Sequence, residues 1–260
     1  MEYANLLVEE NDNILTIIIN RPDKYNALSQ GVMQDLKAAF AFALTQKHLR
    51  GIILTGSGDK AFVAGADISG FMDLTPEMAQ QLAQQGHDIF NAIERMPIPV
   101  VAVVNGFALG GGCELSMACH MRIATPNAKF GQPEVNLGII AGYGGTQRLV
   151  QYIGKARALE LHLTADTITA DTALAWGLVN YVEDDKEAAL AKAVAIIQKI
   201  STKGPLAIAS AIAGINAYYD EGVDGFQKEI DLFAALFTTE DVREGVTAFL
   251  EKRKPNFKGQ

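Results

Sequence analysis

An α/β fold is predicted by three features of the sequence. Short β-branched runs at 15–20 (LTIIIN), 51–55 (GIILT) and 99–104 (PVVAVV) are bounded by turn residues and read as buried strands. Stretches of helical character lie between them, the alternation from which α/β cores are built. Beyond about residue 145 the strand signal fades and helical periodicity takes over. The 260 residues, 49% of them hydrophobic, can bury a sizeable core in one large domain with a helical appendage.

The elements follow in chain order. Strand 15–20 exits at Arg21–Pro22, and Asn26–Ala27–Leu28 reads as a helix entry. Ser29 caps an Ala- and Leu-rich helix over 29–45. Strand 51–55 leads through GSGDK into 61–67 (AFVAGAD), where Ala64, Gly65 and Ala66 permit close backbone approach. Thr75 caps the next helix, 75–95, with Pro76 at its first position. Strand 99–104 leads into 106–114 (GFALGGGCE), and 121–125 (MRIAT) is a fourth strand candidate. Over 186–200, Leu190, Ala193, Val194 and Ile197 share a helical face. Thr238 and Asp241 form a capping-box pattern ahead of 248–253. A boundary near 200–205 (STKGP) divides a core, 1–200, from a helical region, 201–260. There is no internal repeat and no flexible linker.

Charge and composition exclude several functions. A net charge of −8 opposes nucleic-acid binding, which needs an excess of Lys and Arg. A smaller polyanion held by local cations stays open, and the tail EKRKPNFKGQ is locally basic. Cys113 and Cys119, six residues apart, would face different sides of a helix, so a disulfide between them is not expected. The acidic N-terminus resembles neither a secretory signal nor a transit peptide, and the apolar stretch 99–109 is broken by Asn105 and Gly106. A cytoplasmic, membrane-free protein is the expectation. The four histidines have no metal-ligand spacing, and no serine-hydrolase elbow, dinucleotide fingerprint or P-loop occurs.

Two carboxylates stand in apolar company. Glu114 follows Gly110–Gly112 and opens a segment of Cys, Leu, Ser, Met and Ala. Burial there would raise its pKa, as acid/base catalysis requires, although a Glu at that place could equally just complement a helix dipole. Glu134 follows Pro133 within 130–145 (FGQPEVNLGIIAGYGG), and alone reads as a solvated loop residue. The glycines permit a close passage of backbone, where free amides at a helix start can bind an anion or an oxyanion.

Taken together, the segments RPDKYNAL, AFVAGAD, VNGFALGGGCEL, FGQPEVNLGI, GGTQRL, TADTITADTALAWGLVN and FLEKRKPNFKG resemble the enoyl-CoA hydratase (crotonase) family in order and spacing, from the first strand to the last helix. The resemblance implies a crotonase-like right-handed spiral of β-β-α units. It also implies a C-terminal helical trimerisation region and a homo-oligomer, a trimer or a dimer of trimers. It implies that Ala64 and Gly111 amides form an oxyanion hole, that Glu114 activates water and that Glu134 protonates C2 of a short-chain enoyl-CoA. Coenzyme A would lie along 21–28 and the AGAD loop, at Ala27, Gly65, Ala66 and Asp67. Phe249 and Lys252 match positions that reach CoA, in this or a neighbouring subunit. No metal or other cofactor is implied. The acyl pocket is expected around 71–74. His120 stands where many members have Asp, and Ala141 where many have Pro.

An isomerase of the same superfamily keeps a carboxylate at the Glu134 position but lacks one at Glu114, so both carboxylates favour hydration. An RNA-binding member is opposed by the acidic charge.

Overall fold

The computed structural model describes residues 2–260. The chain opens with a hairpin, β1 (Leu6–Asn11) antiparallel to β2 (Ile14–Ile19). Its turn, Asp12 and Asn13, has both residues at positive φ, which short polar side chains tolerate. Residues 6–11 (LLVEEN) carry too few β-branched side chains to be read as a strand from sequence. Pairing to β2 makes them one. Next comes α1 (Gln30–Thr45), whose Val32 amide donates to the Ser29 hydroxyl, as the cap predicts.

Three turns of one unit follow. β3 (Gly51–Gly56), β4 (Ala61–Val63) and α2 (Pro76–Glu94) form the first. β5 (Val100–Val104), β6 (Phe107–Leu109) and α3 (Gly111–Ala118) form the second. β7 (Met121–Ala124), β8 (Lys129–Gly131) and α4 (Gly145–Thr164) form the third. The chain continues through β9 (Thr167–Thr169), α5 (Ala170–Trp176), β10 (Tyr181–Val182) and α6 (Lys186–Ser201).

In each unit the first strand joins one sheet and the second joins another. Among the described residues the orders are β1-β2-β3-β5-β7-β10 and β4-β6-β8-β9. Within the repeat, β3, β5 and β7 pair in parallel, as do β4, β6 and β8. This is the spiral of β-β-α turns. The central strands of the larger sheet, β3 and β5, are buried on both faces, which is why they read as unbroken apolar runs. Ile53, Val101, Val103 and Ile123 pack against Ala189, Ala193 and Ile197 of α6. Ile52, Leu54, Val100, Ala102 and Val104 point the other way, into the main core.

The last helices are α7 (Pro205–Ala217), α8 (Gly225–Leu236) and α9 (Glu240–Leu250). The capping box expected at Thr238 and Asp241 does not form. Thr239 is the cap, accepting from the Val242 amide, while Thr238 turns its hydroxyl back to the Ala235 carbonyl. The Asp241 carboxylate instead takes the amides of Lys258 and Gly259 at 2.7 and 2.9 Å. The basic tail is therefore folded back on α9 rather than free, and Arg253 pairs with Glu244 and Glu251. No helix among the described residues is long and apolar enough to cross a membrane.

Candidate active site

Glu114 lies in the first turn of α3 and is 1% exposed. The sequence places it there because β5 and β6 deliver the glycines to the core. Gly112 lies directly against the Val63 carbonyl of β4, leaving no space for a side chain. The far end of α3 is held by the buried Arg122. Its guanidinium donates to the carbonyls of Ser116, Cys119 and Leu178 at 3.0, 2.6 and 2.7 Å and lies over the Tyr152 ring. Glu114 is thus fixed at both ends of its helix.

Its Oε1 accepts from the amides of Tyr143 and Gly145 at 2.8 and 2.6 Å, at the N-terminus of α4. Desolvation pushes its pKa up to about 7; the two amides oppose that rise, Glu134 adds to it and Arg148 opposes it. A carboxyl poised there can exchange protons near neutral pH.

Glu134 stands in a short 3-10 turn, Pro133–Leu137, and burial raises its pKa as well. It closes over Gly110, where φ is +49° and a Cβ would stand 2.6 Å from Glu134 Oε1. The wholly buried Gln132, with its amide nitrogen turned to the carboxylate, donates to both Glu134 oxygens at 3.1 Å. Both glutamates line one cavity of about 800 Å³, together with Ala66, Gly110, Gly111, Phe71, Met72, Leu74, Leu82 and Tyr143. The 71–74 segment expected to shape an acyl pocket is therefore on its wall. A second cavity of about 520 Å³ shares Phe71, Leu74, Leu82 and Tyr143 with the first.

One expected donor is replaced. The Ala64 amide already donates to the Tyr25 carbonyl at 3.1 Å, so it is not free to bind an oxyanion. The Ala66 amide makes no hydrogen bond among the described residues. It lies next to Gly111, whose Cβ would stand 3.6 Å from the Ala66 nitrogen. Gly111, as the first residue of α3, has an amide without an intrahelical acceptor. Ala66 and Gly111 are the adjacent pair of open donors.

The loops that carry Ala27, Gly65, Ala66 and Asp67 are brought together. The Leu28 amide donates to Gly65 O, and the Asp67 amide to Leu28 O. Arg21 donates to the Ala27 carbonyl at 2.8 Å and to Asp67 at 3.4 Å. Asp67 has its pKa lowered mainly by the hydrogen bonds from Ser69. Buried Asn26 ties this junction to Ser57 and Ala61 through its amide nitrogen. Phe249 and Lys252 are not brought to the site: they lie on and just after α9, line neither cavity, and Phe249 is 83% exposed. Gln132, Tyr143, Gly145 and Arg148 were not singled out from sequence, although the glycine run 142–145 marks the turn that presents two of their amides. His120, for its part, adds no charge while burial keeps it neutral. Its Nδ1 accepts from the Val100 amide and its Nε2 bonds the Glu94 carbonyl, joining β5 to α2.

The enoyl-CoA hydratase/isomerase family profile matches residues 9–260. The chain is 45% identical over 258 residues to the crotonyl-CoA hydratase of Syntrophomonas wolfei, covering 99% of each. It is 40% identical to the short-chain-enoyl-CoA hydratase of Clostridium acetobutylicum, covering 98% of this chain and 97% of that one. Among solved structures it is similar to an enoyl-CoA hydratase from Bacillus anthracis, with a TM-score of 0.91 and 37% identity over 98% of this chain and 100% of the other. Matched by the family profile over residues 9–260 and by relatives in sequence and fold along nearly its whole length, the chain belongs to the enoyl-CoA hydratase/isomerase family.

Proposed function

We propose that the protein is a short-chain enoyl-CoA hydratase, adding water reversibly and in syn fashion to a trans-2-enoyl-CoA to give the 3-hydroxyacyl-CoA. The observation that carries this is the pairing of two buried carboxyl groups with two open amides in one cavity. The thioester oxygen accepts from the Ala66 and Gly111 amides. These donors are strongest when negative charge gathers on that oxygen, as it does when water adds to C3. Ionised Glu114 takes a proton from the water as its oxygen bonds to C3. Protonated Glu134 gives its proton to C2. The proton held by Glu114 then returns through solvent to Glu134, which restores the starting state. No metal or further cofactor enters this scheme.

The names of the S. wolfei and C. acetobutylicum relatives support a short acyl chain. So does Tyr143, which lines both cavities and whose ring is packed against Gly86 and meets Phe90 edge-on at 5.5 Å. In this reading residues 1–200 form the catalytic core, and 201–260 an oligomerisation region of a cytoplasmic trimer or dimer of trimers. Phe249 and Lys252 serve the CoA of a neighbouring copy.

The test is loss of conjugated-thioester absorbance with crotonyl-CoA, followed by a kcat/KM series over chain length. Wild type should hydrate crotonyl-CoA, and Glu114→Gln should lower kcat by about 10²–10⁴-fold. Full activity in that variant would remove the water-activation role. Double-bond migration without hydration would make the chain an isomerase.

A further inference from the structure

Glu114 depends on two amides that its own helix does not supply. They belong to the 138–145 loop, which contains four glycines and has positive φ at Gly138 and Gly144. A loop of that composition has little intrinsic preference for one shape. Its C-terminal end is held by Arg148, one turn into α4 and 4% exposed. Arg148 Nη1 donates to the Tyr143 carbonyl at 2.9 Å and lies so close to Gly144 that a side chain there would meet it. Its Nε and Nη2 grip the Glu94 carboxylate at 3.2 and 2.8 Å, and Nη2 also donates to Asn91 Oδ1 at 2.6 Å. Both partners sit in the last turn of α2. The guanidinium therefore bolts the loop to α2 on one side, while the loop presents its amides to Glu114 on the other. Arg148 does not line the substrate cavity. It lines a separate one of about 490 Å³ with His87, His120 and Gly144.

We propose that Arg148, anchored by Glu94 and Asn91, is a positioning residue for Glu114, holding the Tyr143–Gly145 amides on its carboxylate and biasing that carboxylate toward ionisation. The functional half of the proposal rests on the hydratase reading. The groups that face Glu114 are Glu134 from the turn after β8, Tyr143 and Gly145 from the loop, and Arg148 from α4. Arg148 is the only cation among them. It is also faced by His87 on α2, whose pKa burial and the Arg148 charge lower and Asp88 raises in part. Lysine could keep the charge but not the fork, because one ammonium cannot reach Tyr143, Glu94 and Asn91 along these directions.

The experiment titrates Glu114 by carboxyl ¹³C NMR, assigned with Glu114→Gln, alongside the pH profile of kcat on crotonyl-CoA. Because hydration needs ionised Glu114, its titration forms the acid limb of that profile. In Arg148→Met the midpoint and the acid limb should both move up by about half a pH unit or more. In the same variant kcat should fall about tenfold while KM stays within about threefold. Arg148→Lys should keep the midpoint near wild type and still lose kcat. Glu94→Gln, which keeps an acceptor but removes the neutralising charge, should move the midpoint down, and it carries the test with Arg148→Lys if Arg148→Met does not fold. Unshifted midpoints across these variants, with activity falling only with the folded fraction, would overturn the proposal. So would a rise in KM at unchanged kcat. A wild type that does not hydrate crotonyl-CoA, with the midpoint still shifted in Arg148→Met, would sink the hydratase reading and leave the positioning role standing.

Discussion

Glu114 is buried in a core where a carboxylate costs free energy, and the two amides on Oε1 recover only part of that cost. The consequence is a stability that depends on pH. Free glutamate titrates near the ordinary value of 4.5, folded Glu114 near 7. Below the lower value both states are protonated and burial costs little. Between the two values the unfolded chain releases its proton first, so stability falls as pH rises, and above about 7 the loss is complete. Glu114→Gln keeps the acceptor oxygen and removes the charge. Its Tm should exceed that of wild type at pH 8, by the equivalent of about 1–3 kcal/mol, and converge with it near pH 4.5. Thermal melts across that range check this, and a parallel pair of curves would contradict it. At this scale the sequence showed the two glutamates in apolar company but not which alanine amide is open. In AGA the peptide orientations depend on Gly65, whose φ of +125° breaks the strand alternation, so spacing alone cannot separate Ala64 from Ala66.

Helix α3 shows how an element becomes precise. It has only eight residues, too few to be stable by itself, so its ends are set by its surroundings. Gly112 seats its start on β4, and Arg122 holds its finish by donating to the Ser116 and Cys119 carbonyls. Arg122→Met would take their charged donor from the buried Cys119 and Leu178 carbonyls and should cost about 3 kcal/mol in denaturant unfolding, with loss of activity through misplacement of Glu114. A cost below about 1 kcal/mol would show that water or a shifted backbone takes the place of the guanidinium. The long elements were legible because burial writes a strong periodicity into them: α1, α2, α6 and strands β2, β3 and β5 stand where the β-branched runs and caps put them. The three-residue strands β4, β6, β8 and β9 were not. Each is too short to carry a period, and each becomes a strand only by pairing within the smaller sheet. Of these, β6 supplies Leu109 to the cavity wall, and β4 runs directly into Ala64–Ala66, which line it.

At the scale of the whole molecule, the C-terminal helices leave a large apolar surface in water. Ile215, Tyr218, Phe226, Ile230, Phe233 and Leu250 are all more than half exposed. So is Phe249, one of the two residues the family resemblance assigns to CoA and the monomer keeps away from the cavity. Where exposed apolar side chains form a large contiguous surface, that surface usually serves association. Both facts have one account if copies associate through α7–α9 and lend Phe249 and Lys252 to a neighbour. Sedimentation equilibrium should then give a multiple of the 27.9 kDa chain, a trimer or twice that. Phe226→Asp combined with Phe233→Asp should dissociate it. Lys252→Ala should raise KM for crotonyl-CoA about several-fold, since it removes one partner of a phosphate, yet leave a crotonyl thioester of N-acetylcysteamine unaffected because that substrate has no phosphate to lose. The dissociated variant should show the same contrast between the two substrates. A monomeric wild type with unimpaired CoA binding would place the CoA contacts within one chain and leave the apolar surface to another partner.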